Sequence, residues 1–220
     1  MKKFRTSLAA LGLLGAAGAI PAAASTINLN TGTGTGTYTI TSDTLVPGEG
    51  TTVNVVTSLG GGWINNLSSE WIAPSATQAG KTEAATGGVT YDTIFALPVG
   101  FTAPSLSIDL AADDWVTISL NGTTFYTGPT SGQWTFDTVV STSAVLADLV
   151  AGSNTLQFVV ANTGNGTSDL GGGPTGLDAQ VSVGYTPASS STPEPSTVLP
   201  LAIVALLGGF ALRRRTRSAA

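Results

Sequence analysis

Carboxylates are the main side chains in this sequence with which acid–base chemistry could be done. The 220 residues include no Cys and no His. Thiolate nucleophiles, disulfides, the usual zinc and iron–sulfur sites and the Ser-His-Asp triad are therefore excluded. Thirteen Asp and Glu remain. Two of them would have to converge across a scissile bond, about 5 to 10 Å apart, to make a glycosidase.

Asp113 and Asp114 are adjacent, but neighbours on an extended chain point in opposite directions. A second acid such as Asp92, Asp137 or Asp178 would have to complete a catalytic pair, and nothing in the spacing selects one. We therefore predict no catalytic residue and no cofactor. The Asp-Asp pair is interpreted as a turn capped by its own side chains, with calcium ligation as the alternative.

The loop at residues 162–169 is rich in oxygen ligands, and Asn162, Asn165 and Asp169 are weak candidates for calcium binding. It lacks the spacing of a calcium-binding loop and the terminal bidentate Glu. The prediction is therefore that the protein has no metal site.

The most clearly specified local element is a β-hairpin at residues 115–127. Asn121-Gly122 tolerates the positive φ angles of a type I′ turn, which joins two strands and sets their register. One face should then be apolar and the opposite face polar. The register predicts these pairs: Leu120 with Thr123, Ile118 with Phe125, Thr117 with Tyr126, and Val116 with Thr127.

This register places two aromatic residues, Trp115 and Tyr126, on the polar face of the hairpin beside Thr117 and Ser119. Aromatic faces can cover the apolar face of a pyranose while nearby polar groups bind its hydroxyls. These four residues are the candidate sugar contacts. The other tryptophans are expected to pack inside: Trp63, Trp71 and Trp134.

Short β-branched segments separated by Gly, Pro, Asn and Asp dominate the region between the chain ends, which predicts an antiparallel β-sandwich. A helical turn is expected within residues 143–150. The predicted strands are residues 37–41, 52–57, 89–97, 105–110, 115–120, 123–127, 134–140, 155–161 and 179–185.

Charge is distributed unevenly along the chain. Between Ser25 and Thr192 there are twelve acids against one cation, Lys81, which gives this region a net charge of −11. Such a body repels polyphosphate, so nucleic-acid binding is disfavoured.

The N-terminal residues 1–24 have the three parts of a secretory signal peptide. A basic start is followed by an apolar run at residues 8–20 and by small residues that end at Ala24. We expect a signal helix, cleavage after Ala24 by signal peptidase, and transport through the general export machinery.

The C-terminal part begins with a Pro/Ser/Thr linker at residues 186–192 and ends with an apolar stretch and a basic cluster. A helix at residues 197–212 would span a membrane marginally, since the fifteen residues 198–212 extend about 22 Å. The positive-inside rule would hold the arginines in the cytoplasm. The motif and the cluster comprise Pro193, Glu194, Pro195, Arg213, Arg214, Arg215 and Arg217.

This order of Pro-Glu-Pro, apolar span and arginine cluster resembles the PEP-CTERM sorting signal of Gram-negative bacteria, over residues 193–217. The resemblance implies recognition by an exosortase, a membrane transpeptidase of the cysteine type, which would process the chain near the motif. It also implies a transient inner-membrane intermediate and a final location at the cell surface or in the extracellular matrix. A simple membrane anchor with a proline-rich stalk is the alternative.

Residues 89–185 are similar to galactose-binding-like jelly-roll domains in the order of their segments, which runs from Leu-Ser-Ile-Asp-Leu through Trp-Val-Thr-Ile-Ser-Leu-Asn-Gly to Asn-Thr-Leu-Gln-Phe-Val-Val. That family implies a two-sheet sandwich whose edge loops often bind sugars, although many members bind none.

The sequence thus predicts an all-β protein with a jelly-roll-like antiparallel sandwich at residues 25–185, flanked by a signal helix and a single transmembrane helix. The expected function is that of an exported, non-catalytic surface or matrix protein that associates with exopolysaccharide. A carbohydrate-binding module with a defined sugar site and a glycan-active enzyme are the alternatives.

Overall fold

The computed structural model describes residues 22–32, 37–45, 51–59, 61–79, 86–129, 132–163 and 173–189. Ala23–Ala188 form one compact unit. The predicted signal and transmembrane helices lie outside the described residues.

The described body is all-β and consists of eleven strands. Their bounds are β1 Ser25–Asn28, β2 Tyr38–Asp43, β3 Asn54–Val55, β4 Ile72–Ala73, β5 Thr86–Leu97, β6 Thr102–Asp113, β7 Trp115–Leu120, β8 Thr123–Thr127, β9 Thr138–Val140, β10 Gly152–Thr163 and β11 Gly176–Thr186. Two short 3-10 helices, Gln133–Thr135 and Leu146–Asp148, are the helical elements of the described residues.

The strands form two antiparallel sheets. Sheet A has the order β3-β4-β11-β6-β9, and β1 also pairs with β11. Sheet B has the order β2-β5-β10-β7-β8. In both sheets long central strands are flanked by shorter ones. The central strands of each sheet therefore provide most of the side chains that line the core.

The main core lies between the two sheets, which confirms the prediction of a β-sandwich. Alternate residues along each long strand are fully buried, for example Ile108 and Val181 from sheet A and Ile118 and Phe158 from sheet B. Each fully buried aliphatic or aromatic side chain of this kind contributes about 1.5–3 kcal/mol relative to exposure. The alternation itself follows from the two-residue period of a strand.

The first and last strands of the body are neighbours. Ser25 pairs with Tyr185 and Asn28 with Ser182, and the ladder continues past β1 because the amides of Leu29 and Thr31 donate to carbonyls of β11. β1 was not among the predicted strands. Its four residues immediately follow the signal region and are too few to show a period.

Two predicted elements and one that was not predicted differ in their bounds or type from the sequence prediction. The strand predicted at residues 134–140 is a 3-10 turn followed by β9. The helical turn predicted at residues 143–150 is present as Leu146–Asp148 and is packed through Val145 and Leu149, which are both buried. β4 was not predicted, because two residues carry no alternation.

The outer face of sheet A carries a second, smaller apolar cluster. Its buried members are Val56, Trp63, Trp71, Ala73 and Ala111. The segment at residues 56–73 therefore folds over one end of sheet A, and it buries Ala111 from the side opposite the main core.

Candidate functional site

Strand β7, between β10 and the edge strand β8, presents the predicted polar face. Val116, Ile118 and Leu120 are fully buried in the main core, so Trp115, Thr117 and Ser119 point to the outer face of sheet B. The prediction that these three residues share the face opposite the core is confirmed.

Tyr126 does not share that face, and this part of the prediction is wrong. A register shift between Ile118 and Ser119 pairs Ile118 with Tyr126 and Ser119 with Thr124. Tyr126 therefore faces the main core, against which it packs. The physical reason is a β-bulge at Phe125, which adds one residue to β8 and moves Tyr126 to the other side.

A buried glutamine fixes the position of Tyr126. Gln133 is fully buried; its Nε2 donates to the Tyr126 hydroxyl at 3.1 Å, and its Oε1 accepts from the Val116 amide at 3.2 Å. No pattern in the sequence marks Gln133, because a single buried polar residue in a short 3-10 turn has no periodicity to reveal it.

On the outer face of sheet B a row of polar residues crosses all five strands, and we call it the cross-strand row. Each strand contributes one residue that is paired directly with the next: Thr39, Asp92, Gln157, Ser119 and Thr124. Gln157 Nε2 donates to Asp92 Oδ1 at 3.0 Å, and the hydroxyls of Ser119 and Thr124 are 2.9 Å apart. The sequence marked Ser119 of this row as a sugar contact and Asp92 only as a possible catalytic acid. Thr39, Gln157 and Thr124 were missed, because pairing between distant strands or a shifted hairpin register brings them into the row.

Trp115 lies at one end of the same face. It pairs with Ala161, which in turn pairs with Gly88, so the two strands beside the indole carry almost no side chain at that level. The indole is half-buried, and its Nε1 is buried without a hydrogen-bond partner. Trp115 thus borders a shelf that lacks large side chains, and its Nε1–H is enclosed by the protein and does not face solvent.

The other tryptophans pack together at the outer side of sheet A, as predicted for packing residues. The rings of Trp63 and Trp71 are stacked with centroids 4.1 Å apart. Trp63 Nε1 donates to Asp113 Oδ2 at 2.6 Å, and Trp71 Nε1 donates to the Ile64 carbonyl at 2.7 Å. Trp134 is partly buried against the pair. Two satisfied indole N–H groups explain why these rings are buried rather than presented to solvent.

Asp113 and Asp114 are both buried, and the peptide bond between them is cis. Asp113 ends β6 and carries the Trp63 hydrogen bond, while the Asp114 backbone bonds to Ala161 and Gln133. The two residues thus form the corner between sheet A and sheet B.

Three other acids interact at the outer face of sheet A. Burial raises the pKa of Asp178, the Ser69 and Thr31 hydroxyls lower it, and the nearby Asp137 and Asp109 carboxylates raise it. The pKa of Asp109 is also raised, first by burial and then by Asp137, against a lowering hydrogen bond from the Leu110 backbone. Sequence analysis named Asp137 and Asp178 only as alternatives and missed Asp109.

The geometry of this acid cluster does not favour catalysis by Asp178. Its side chain is only 1% exposed, and Ser69 Oγ donates to Asp178 Oδ1 at 2.5 Å. The segment that carries Ser69 therefore separates this carboxyl group from any substrate in solvent.

The remaining candidates are only partly within the described residues. Asn162 is buried, and its Nδ2 donates to the Gly173 carbonyl at 3.2 Å; Asn165 and Asp169 lie outside the described residues. Where residues are described, no group of three or more His, Cys, Asp or Glu is arranged to hold a metal ion.

The residues of the C-terminal motif, Pro193, Glu194, Pro195 and the arginines from Arg213, also lie outside the described residues. Within the described ranges, no helix is long and apolar enough to cross a membrane.

Comparison with known proteins finds only distant structural similarity. No protein-family model matches the chain, and no curated protein matches it. The crystal structure of an FMN-binding beta-glucuronidase from Facaelibacterium prausnitzii L2-6 is similar at 19% identity and a TM-score of 0.38, over 76% of this chain and 23% of that one. A family 35 carbohydrate binding module from an environmental isolate is similar at 15% identity and a TM-score of 0.29, over 70% and 98% of the two chains. This chain thus spans about a quarter of the glucuronidase.

Proposed function

We propose that the chain is an exported, exosortase-sorted protein of the cell surface or extracellular matrix of a Gram-negative bacterium. Its jelly-roll-like sandwich is non-catalytic and associates with exopolysaccharide. The observation that carries the proposal is the order of the C-terminal segments, in which Pro193-Glu194-Pro195, an apolar stretch and Arg213-Arg214-Arg215 follow one another on a chain that begins with a signal-like segment.

The motif has a physical rationale as a recognition segment. Two prolines restrict the backbone and favour an extended conformation, and Glu194 adds a charge that an enzyme pocket can read. The linker before it leaves the body at Thr186, the last residue of β11, so six residues separate the sandwich from Pro193. Fully extended, such a linker reaches about 20 Å, which leaves room for an enzyme between the sandwich and the membrane.

The properties of the body support a binding rather than a catalytic role. The acid that is most buried in the outer cluster, Asp178, is closed off by Ser69. The cross-strand row, by contrast, places exposed hydroxyls of Thr39 and Thr124 and the half-exposed Asp92 and Gln157 on the outer face of sheet B, while Ser119 is 8% exposed. A carbohydrate-binding module with a defined site is the second candidate, favoured by the half-buried Trp115 beside its shelf.

The sorting proposal is tested by replacing Pro193, Glu194 and Pro195 with Ala in a bacterium that carries an exosortase. We expect the variant to stay unprocessed in the membrane fraction, because the enzyme loses both the extended backbone and the charge that it reads. The matched control replaces Ser189, Ser190 and Ser191 of the linker with Ala and should be processed normally. Intact-mass measurement is the readout, and a wild-type surface form that retains Arg213–Arg217 would refute the proposal.

A further inference from the structure

The outer face of sheet B is broad and nearly free of charge. The cross-strand row spans five strands, which corresponds to about 19 Å at 4.8 Å between strands. Asp92 is the one ionisable residue of the row. A second line of paired residues, Thr90, Val159, Thr117 and Thr127, runs beside it and is also uncharged.

The row retains hydrogen-bonding capacity after its internal bonds are made. Gln157 uses one N–H on Asp92, so its second N–H and its carbonyl oxygen remain, as does the second carboxylate oxygen of Asp92. Thr124 is exposed and keeps a further acceptor site after its hydrogen bond with the buried Ser119. The internal bonds hold these side chains in place, which reduces the entropy lost when a ligand binds.

Apolar contacts lie on either side of the row. Ile94 is 65% exposed and follows Asp92 by two residues, so it shares the outer face. Trp115 lies toward the other end, next to the shelf made by Ala161 and Gly88, and its indole is half-buried. A ligand that satisfies this whole surface needs both C–H faces and many hydroxyl groups.

The net negative charge of the body restricts the class of ligand further. The part of the chain that the structure describes contains no Lys or Arg, and the region from Ser25 to Thr192 has twelve acids against Lys81 alone. An anionic polymer would be repelled by this body and would find no cation among the described residues of the face. An uncharged polyhydroxylated chain meets no such penalty.

We infer that the outer face of sheet B binds an uncharged polysaccharide chain, which contacts the cross-strand row and runs obliquely over the face toward Trp115, four residues along β7 from Ser119 and thus about 13 Å away. The inference rests on the proposed association with exopolysaccharide and names its surface and its ligand class. Each contact is weak, and many copies displayed on one surface strengthen retention through multivalency.

The test is affinity electrophoresis of the full chain in native gels that contain galactomannan or dextran, with alginate as the anionic polymer. A polyoxyethylene detergent is used, because sugar-based detergents would compete. We expect retardation by at least one neutral polymer and none by alginate. Trp115→Ala and Gln157→Ala should weaken the apparent affinity by about five- to tenfold each, since each loses one stacking or hydrogen-bonding contact.

Two variants separate binding from folding. Gln180→Ala removes the same side chain from an exposed position on the outer face of sheet A and should bind like the wild type. Thr117→Val keeps size and strand propensity, and it should weaken binding while its melting temperature stays close to that of the wild type. Three results would each overturn the inference. They are no retardation of the wild type, binding of alginate in preference to both neutral polymers, and an equal loss of apparent affinity in Gln157→Ala and Gln180→Ala. None of these results bears on processing at Pro193–Pro195, so failure here and failure of sorting are distinguishable.

Discussion

Asn121 in the turn of the β7–β8 hairpin offers a sharp test of how the end of sheet B is held. Its φ angle is 50°, and its side chain makes three hydrogen bonds. Nδ2 donates to the Asp148 carbonyl at 2.8 Å and to Asn154 Oδ1 at 2.9 Å, and Oδ1 accepts from the Thr155 amide at 2.9 Å. One carboxamide thus ties the turn to the 3-10 helix and to β10.

Two substitutions separate the contribution of the side-chain hydrogen bonds of Asn121 from that of its backbone conformation. Asn121→Gly keeps the positive φ and removes all three side-chain bonds, so we expect a loss of about 1–2 kcal/mol after the conformational benefit of Gly is subtracted. Asn121→Asp keeps the shape but sets a carboxylate oxygen against two acceptors, the Asp148 carbonyl and Asn154 Oδ1. We expect that variant to lose about 2–4 kcal/mol at neutral pH, because the Asp148 carbonyl loses its Asn121 donor, Asn154 Oδ1 keeps only the Val150 amide, and oxygen faces oxygen at both contacts.

The assay is urea unfolding of residues 25–192, followed by tryptophan fluorescence at pH 7 and at pH 3.5. The new carboxyl group would have a raised pKa in the folded protein, so part of the Asn121→Asp loss should be recovered at pH 3.5, where the protonated group donates again. Asn121→Gly should show no such recovery relative to the wild type. If Asn121→Asp is as stable as the wild type at pH 7, or no less stable than Asn121→Gly, the three-bond account of this turn is wrong.

Two more outcomes follow from the acid cluster and from the loop after β10. Because the folded-state pKa of Asp178 lies above its ordinary value of 3.8, the stability that this group contributes is fully present below that value and declines as pH rises through the raised pKa. Asp178→Asn, which still accepts from Ser69, should flatten this part of the stability–pH curve, and an unchanged curve would show that Asp178 does not titrate with a raised pKa. We also expect residues 25–192 to melt at nearly the same temperature with and without a calcium chelator, since the described residues include no group of three or more His, Cys, Asp or Glu arranged to hold a metal ion; a fall of many degrees would instead identify a structural calcium site.

The sandwich could be predicted because its long strands alternate strictly. Val116, Ile118 and Leu120 are buried, and their neighbours are not in the core, as a two-residue period requires. The Asn121-Gly122 turn was equally readable, and both residues have positive φ angles. Local pattern was sufficient for these elements.

The site was less predictable, because it depends on features that have no local pattern. The bulge at Phe125 places Tyr126 on the core side of β8, whereas the predicted register placed it on the face of Trp115. Nothing in the five residues of β8 indicates a bulge. Asp92 and Gln157 meet across β5 and β10, which are far apart in sequence. The cluster of Asp109, Asp137 and Asp178 arises in the same way from three separate segments.

The pairing of β1 with β11 determines how the body would respond to mechanical load. Ser25 faces Tyr185 in an antiparallel ladder, so the two ends of the body leave the sheet side by side. A pull applied between these ends loads the Ser25–Tyr185 end of the ladder first and separates the strands one hydrogen bond after another. It does not shear all the bonds at once. A chain held at both ends would therefore release β1 at low force, whereas the core strands β6 and β11, which pair over ten positions, would remain together.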